Sequence, residues 1–483
     1  MSNSVKKSLA WSAFGEIAAK LIGPITTILL AHILTPGDFG VIAICNMILF
    51  FCEIIVDAGF GKYLIQADFR SKQDLLSYAA TAFWTNLVVA ILIWSVIIVS
   101  RHSISVFFDK PEYSLVIAVA TGQMVIISVI STQLGLLRRE FRYKELSYVR
   151  IMASCVPLII TVPIAYFYRS YWSMVIGTYC SYICQSVALA LLLKWRPKLS
   201  WSFEKLRRMF SFSFWSLLEG LAHWLIFWVD VFILTKLYSA YYVGLYKNSS
   251  SIIMSMFLMV ASSVMPVLFS TLSRIKDPTR SFGVVLRIER LVLYIICPAA
   301  TILWFCRTQI TDILLGQQWT EAALIIGYWG IIMAVSIAIY SFPAEAFKSM
   351  GKPKYLFFYQ LSYLLILVPL CWWAASKDFW TFVNVRFYCV AAQILLFVIF
   401  ARLLLHWPIL KFFSNWRNPA VIVITIVLIN CLLNIYTDNI YMFLVNCVLA
   451  LLGLAVCKND IKHLIGTLNL DPSVIESVVE REE

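Results

Sequence analysis

Apolar residues along this chain come in long blocks, not in the alternating or one-faced patterns of soluble strands and helices. A helix needs about 20 mostly apolar residues to cross a hydrocarbon core about 30 Å thick. Blocks of that length predict spanning helices near 11–34, 39–57, 78–100, 113–137, 147–167, 171–193 and 210–235. Seven more are predicted near 241–268, 286–305, 321–347, 355–375, 380–405, 418–436 and 440–457. The joints between them include Thr35-Pro36-Gly37-Asp38 and Gly351-Lys352-Pro353, whose Pro and Gly suit tight helical hairpins. The expected fold is therefore an all-α polytopic membrane protein with about fourteen transmembrane helices.

Composition agrees with that pattern. The 483 residues are 61% hydrophobic and only 13% charged, more apolar surface than a soluble fold can hide. The first apolar block is too long for a signal peptide and lacks a small-residue cleavage site, so a retained helix is expected. A formal net charge of +13 could suggest nucleic acid, but its placement argues for a membrane. Lys and Arg cluster in short joints such as Arg138, Arg139, Arg142 and Lys144, the pattern of topology determinants facing cytosol and anionic headgroups. Of the 39 basic residues, 29 fall on one alternating set of joints, helix ends and termini and 6 on the other. The remaining four, Lys20, Arg150, Lys247 and Arg386, lie inside predicted helices. That asymmetry puts both termini in the cytosol.

A shift of 204 residues lays Trp11-Ser12 over Trp215-Ser216, Leu30 over Leu234, Ile33 over Leu237 and Gly40 over Gly244. Six helices separate equivalent positions, so the halves share one orientation and relate by a pseudo-two-fold axis along the membrane normal, as in transporters that rock two lobes. The expected organisation is an N-terminal lobe over 1–200, a C-terminal lobe over 201–415, two appended helices over 416–460 and a cytosolic tail over 461–483.

Ionisable groups within spans are costly and mark candidate sites. Glu16 and Lys20 lie one turn apart on the first predicted span, with Lys20 about 14 Å deep at 1.5 Å per residue. Ser12, Gly23 and Thr27 share their stripe, which has the look of a cavity wall. The seventh span carries Glu219, His223 and Asp230 within about 40° of one line, and the second repeats the spacing with Asn46, Glu53 and Asp57. Plainer readings stand beside these. Glu16 and Lys20 could form a packing ion pair, Asp57 could cap a turn, and Arg150, Lys247 and Arg386 could snorkel to headgroups. Trp372, Trp373 and Trp380 read as an interfacial belt. Twelve cysteines and five histidines are too scattered for a metal site, Cys180 and Cys184 included. No G-x-x-x-x-G-K-[ST] loop is present, so neither a nucleotide nor any other cofactor is expected.

Several stretches carry a resemblance. They are Leu30-Ala31-His32-Ile33-Leu34-Thr35-Pro36-Gly37-Asp38-Phe39-Gly40, Asp57-Ala58-Gly59-Phe60-Gly61 with Ile65-Gln66, and the basic run Arg138 to Lys144. Pro266-Val267-Leu268-Phe269 and Leu314-Leu315-Gly316-Gln317-Gln318-Trp319 follow in order. With them the chain resembles Wzx-type polysaccharide flippases of the multidrug/oligosaccharidyl-lipid/polysaccharide exporter superfamily, the colanic-acid-exporter branch above all. It departs from the pattern at Ser341-Phe342-Pro343-Ala344-Glu345, where relatives carry a longer Gly- or Ala-rich stretch. The resemblance implies a V-shaped, two-lobed transporter that moves an undecaprenyl-pyrophosphate-linked oligosaccharide from the cytosolic to the periplasmic leaflet. Membrane lipids are its surroundings and a polysaccharide polymerase a candidate companion.

On that reading Lys20, with Arg150, Lys247 and Arg386, would compensate the pyrophosphate. Glu16, Glu53, Asp57, Glu219, His223 and Asp230 would bind H⁺ or Na⁺ and couple a gradient to the rocking of the lobes. The rivals are a cation-coupled multidrug antiporter of the same superfamily, an integral-membrane polymerase or glycosyltransferase, and a structural scaffold. Cationic groups in the spans favour an anionic cargo over the antiporter. External joints of only about a dozen residues, near 101–112 and 306–320, leave no room for a catalytic loop. A scaffold would carry no buried charge stripes.

Overall fold

The computed structural model describes residues 21–140, 142–193, 195–272, 278–349, 353–404, 406–432 and 440–468. These residues are helical and contain no strand. The chain divides into two compact units, Met1–Asn248 and Ser249–Glu483. In the first unit α1 is Leu21–Ile33, α2 Pro36–Asp57, α3 Phe60–Gln66 and α4 Lys72–Phe107. Then come α5 Pro111–Arg139, α6 Lys144–Tyr168, α7 Trp172–Leu193 and α8 Phe203–Leu237. The next helix, α9 (Ala240–Leu272), runs past the unit boundary. The second unit contains α10 Pro278–Phe305, α11 Arg307–Leu314, α12 Gln317–Phe347, α13 Pro353–Ala375 and α14 Phe379–Leu404. It ends with α15 Ile409–Ser414, α16 Arg417–Leu432, α17 Ile440–Val456 and α18 Lys458–Leu468.

Among the described residues, ten helices are long and apolar enough to cross a membrane. The other four expected segments are the shorter apolar helices Leu21–Ile33, Arg417–Cys431 and Phe443–Val456 and the 33-residue α9. Large apolar side chains stand on the outer surface, Val99 being 87% exposed and Leu191 72%, as a protein dissolved in lipid requires. Polar side chains turn inward and tie helix to helix. Gln123 donates to Thr178 Oγ1 at 2.8 Å, Tyr179 to the Val119 carbonyl at 2.6 Å and Ser181 to the Ala153 carbonyl at 2.7 Å.

The motif Thr35-Pro36-Gly37-Asp38 makes the turn expected of it. Thr35 and Asp38 form a capping box, and Pro36 occupies the first turn, where its missing N–H is of no consequence. The second carboxylate oxygen of Asp38 accepts the Tyr171 N–H at 3.0 Å and so anchors the start of α7.

Two spans contain a π-helical turn, at Pro157–Thr161 and Ile337–Ser341. In both, a proline follows two residues after the turn, Pro163 and Pro343. A proline removes one main-chain donor and crowds the preceding turn, and a wider turn accommodates the ring without breaking the span. The departure at Ser341-Phe342-Pro343 thus has a local cause.

The repeat acquires physical content inside the first unit. A Cβ on Gly40 would sit 1.8 Å from the Ala240 carbonyl oxygen, and one on Gly244 would sit 1.8 Å from the Pro36 carbonyl oxygen. Under the 204-residue shift Pro36 corresponds to Ala240 and Gly40 to Gly244. The contact is therefore reciprocal, as at any interface crossed by a two-fold axis. Helix α8 also packs against α2, α3 and α4. At its far end Lys236 donates to the Phe107 carbonyl at 2.6 Å and to Asp109 at 2.8 Å.

In the second unit, buried Glu289 on α10 accepts the Trp416 indole N–H at 2.8 Å, and Arg290 donates to Asn415 at 2.6 Å and Asp460 at 3.3 Å. Asn430 donates to Asn446 at 2.6 Å. The last helices, outside the repeat, are thereby bound to α10 and to each other by polar side chains.

Two expectations follow. Gly40→Ala and Gly244→Ala should each destabilise the purified protein by about 1–3 kcal/mol through overpacking. Gly283→Ala, where a Cβ meets no described atom within 4 Å, should be neutral or stabilising. Thermal unfolding in detergent reads both, and equal melting temperatures would mean that the α2–α9 crossing is not tight. The second concerns Asp109, whose hydrogen bond and charge pairing with Lys236 hold its carboxyl below the usual range. A depressed pKa gives stabilisation that is complete above the unfolded value and lost as pH falls through the folded one. The difference between wild type and Asp109→Asn should therefore exist at neutral pH and close below about pH 3.9.

Candidate functional site

The C-terminal end of α2 creates the site. Ala58 and Gly59 both adopt left-handed backbone, with φ 43° and 83°, and interrupt the helix between α2 and α3, which run on in the same sense along α5. Beside this break a cavity of about 650 Å³ opens between α2, α3, α5 and α8, wholly inside the first unit. Its size is within the range of small-molecule sites, about 300–1,000 Å³.

Glu53 and Asp57, one turn apart on α2, face this space. A Ser131 hydroxyl on α5 donates to Asp57, and Glu53 Oε1 is buried with no hydrogen-bond partner among the described residues. Gly61 lies against both: a Cβ there would be 3.6 Å from Asp57 Oδ1 and from Ser131 Oγ. Glycine at this position keeps the carboxylate open to the cavity.

Lys62 on α3 and Arg138 on α5 supply positive charge to the lining. Adjacent arginines take different roles. Arg139 donates to the carbonyls of Leu64, Ile65 and Ala67 at 2.9, 3.1 and 2.8 Å, capping the C-terminus of α3, and stacks 4.6 Å over Phe69. Half-buried Arg138 makes no hydrogen bond or ion pair among the described residues and lines the cavity.

The fourth wall is α8, with His223, Trp224, Phe227 and Trp228. Gly220 lets α8 approach α2, since a Cβ there would be 3.2 Å from Ile54. Trp224 donates to the Met47 carbonyl at 3.1 Å and lies 5.1 Å from Phe51, and Trp228 lies 5.6 Å from Phe50. These contacts fix the indoles as a wall.

Of the residues expected from sequence, the structure brings Glu53, Asp57 and His223 together at the cavity. Asp57 does not act as the helix cap, a place Ala58 takes. Asp230 is buried and accepts the Tyr246 hydroxyl at 2.7 Å, outside the lining. Lys247 donates to the Phe227 carbonyl at 3.2 Å and lies 4.2 Å over Trp228, next to the indole wall but not in the lining. Arg150 sits half-buried on α6 outside the lining. Arg386 is in the second unit, buried, donating to the Tyr363 hydroxyl at 3.3 Å and 5.2 Å over Trp329. Glu16 and Lys20 lie outside the described residues, as does the side chain of Glu219. Sequence reasoning missed Lys62, Arg138 and the indole wall as parts of one site. Arg138 was read only as a topology charge, and its signal was its place seven residues after Ser131, on the same face of α5.

A family model for polysaccharide biosynthesis proteins matches residues 29–324. An uncharacterized membrane protein of the cps region of Klebsiella pneumoniae is 22% identical over 317 residues, 65% of this chain and 64% of its own length. The succinoglycan biosynthesis transport protein ExoT of Rhizobium meliloti (strain 1021) is 21% identical over 371 residues, 74% of this chain and 72% of its own. The chain thus spans about two thirds of the length of the curated relatives it matches. Among solved structures, the lipid II flippase MurJ in an inward closed conformation aligns with a TM-score of 0.72 at 14% identity, covering 94% of this chain and 99% of that one. An inward-facing multidrug resistance transporter of the MATE family and MOP superfamily aligns at 0.63 and 12% identity, covering 83% and 96%. These likenesses establish the fold.

The two arginines give the cavity its check. Arg139→Ala should lower stability by about 1–3 kcal/mol by uncapping three carbonyls, whereas Arg138→Ala should leave the melting temperature unchanged. Equal losses would assign Arg138 to packing.

Proposed function

The chain belongs to the polysaccharide biosynthesis protein family, and from that premise we propose that it translocates a lipid-linked oligosaccharide across a bacterial inner membrane. The cargo is an undecaprenyl-pyrophosphate-linked repeat unit, carried from the cytosolic to the periplasmic leaflet for assembly of a surface polysaccharide. The observation that carries this reading is Arg138, without a partner among the described residues, beside Lys62 in a cavity walled by spanning helices. A phosphate cannot enter hydrocarbon unaided, and fixed cations replace part of its lost hydration.

The distribution of basic residues turns the C-terminal ends of α2 and α5 to the cytosol, together with both chain termini. The cavity would then open on the side where cytosolic enzymes complete the cargo. Alternating access by two six-helix lobes, driven by an ion gradient, moves the headgroup while the polyprenyl tail stays in the bilayer. Lys20 is the further cation we place on the headgroup path, and a polysaccharide polymerase is the companion that would receive the product. Translocation requires no covalent step, and the relatives' names are those of biosynthesis and transport proteins. The solved folds alone leave a multidrug antiporter equally open; the family match and the cationic lining favour the lipid-linked anion.

Deleting the gene should abolish surface polymer and leave complete lipid-linked repeat units on the cytosolic leaflet. Arg138→Glu should reproduce that loss, and Arg138→Lys should restore part of it. Unchanged polymer with new sensitivity to cationic drugs would assign the chain to antiport instead.

A further inference from the structure

The charged lining of the cavity is balanced: Glu53 and Asp57 on one part, Lys62 and Arg138 on another, with no net formal charge. A bare cation therefore finds no excess negative field there. Two carboxylates one turn apart still repel each other, and both need donors. Asp57 has one, the Ser131 hydroxyl, while Glu53 Oε1 has none among the described residues. A buried acceptor without a donor is costly, so a ligand that supplies O–H groups is favoured on entering. The Trp224 and Trp228 indoles line the same cavity, packed against α2, with Lys247 over one face of Trp228.

Carboxylates that accept from adjacent hydroxyls, in one cavity with aromatic rings that can cover an apolar C–H face, match the two chemical faces of a pyranose. We propose that the Glu53–Asp57 pair and the Trp224–Trp228 wall form a saccharide subsite, which seats the sugar next to the diphosphate while Arg138 and Lys62 hold the phosphates. This rests on the translocation reading and assigns Glu53 and Asp57 to cargo hydroxyls in place of a coupling ion.

The test is equilibrium binding to the full-length protein in nanodiscs. Two probes are used: the undecaprenyl-diphosphate oligosaccharide isolated from the deletion strain, and undecaprenyl diphosphate without sugar. Wild type should bind the glycosylated probe roughly tenfold more tightly. Glu53→Ala, Asp57→Ala and Trp228→Leu should each bring that ratio close to one while still binding the bare diphosphate, which also shows that they fold. Arg138→Ala should weaken both probes by the same factor and keep the ratio. A wild-type ratio of one, or a ratio that persists in all three subsite variants, overturns the subsite and leaves translocation standing. Loss of sodium or proton binding in Glu53→Ala with the ratio intact overturns it in favour of an ion site. Failure of wild type to bind either probe removes the translocation reading itself.

Discussion

A bilayer core offers no water to satisfy a main-chain N–H or C=O, so each segment that crosses it closes its hydrogen bonds within one helix. That constraint also removes the hydrophobic drive between helices, because lipid tails are as apolar as leucine, and association rests on close packing and shared polar groups. Both consequences are visible. Gly40 and Gly244 bring α2 and α9 to backbone contact, and Gly177 on α7 leaves room for the Thr161 side chain. Before Pro163 and Pro343 a π-helical turn keeps the helix continuous.

Polar side chains under the same constraint have two fates. Most are consumed in ties: Gln123 with Thr178, Asp230 with Tyr246, and Glu289 and Arg290 with the loop before α16. Others gather where packing leaves a space. The left-handed turn at Ala58–Gly59 opens that space, and the small residues Gly61 and Gly135 keep α3 and α5 close without filling it. Local backbone geometry at the end of one helix thus decides where four charged side chains meet.

The same fold hosts a lipid II flippase and multidrug transporters, so architecture does not select a cargo. Selection lies in a few side chains. Arg138 and Arg139 are neighbours in sequence, yet one is spent on the carbonyls of α3 and the other is left facing the cavity. A hundred degrees of helical rotation separates a structural arginine from a ligand-facing one.

Hydropathy and length alone determined the class of fold and the positions of the ten long spans, because both depend only on how many consecutive residues can stand in hydrocarbon. The Thr35–Asp38 turn was legible for a similar reason: its capping chemistry is local. Glu53, Asp57 and His223 were found because a charge inside a span is conspicuous wherever its neighbours lie. Lys62 and Arg138 were hidden, since at a membrane interface a basic residue that positions the chain looks the same in sequence as one that binds a ligand. The split of the Glu219–His223–Asp230 line was hidden as well. Helical phase says that such residues share a face, but only packing against α9 determines that Asp230 is taken by Tyr246 while His223 opens to the cavity. Sequence sets which residues can be polar in a bilayer; the tertiary contacts decide which of them remain unpaired, because hydrogen bonds and volume are shared between helices far apart along the chain.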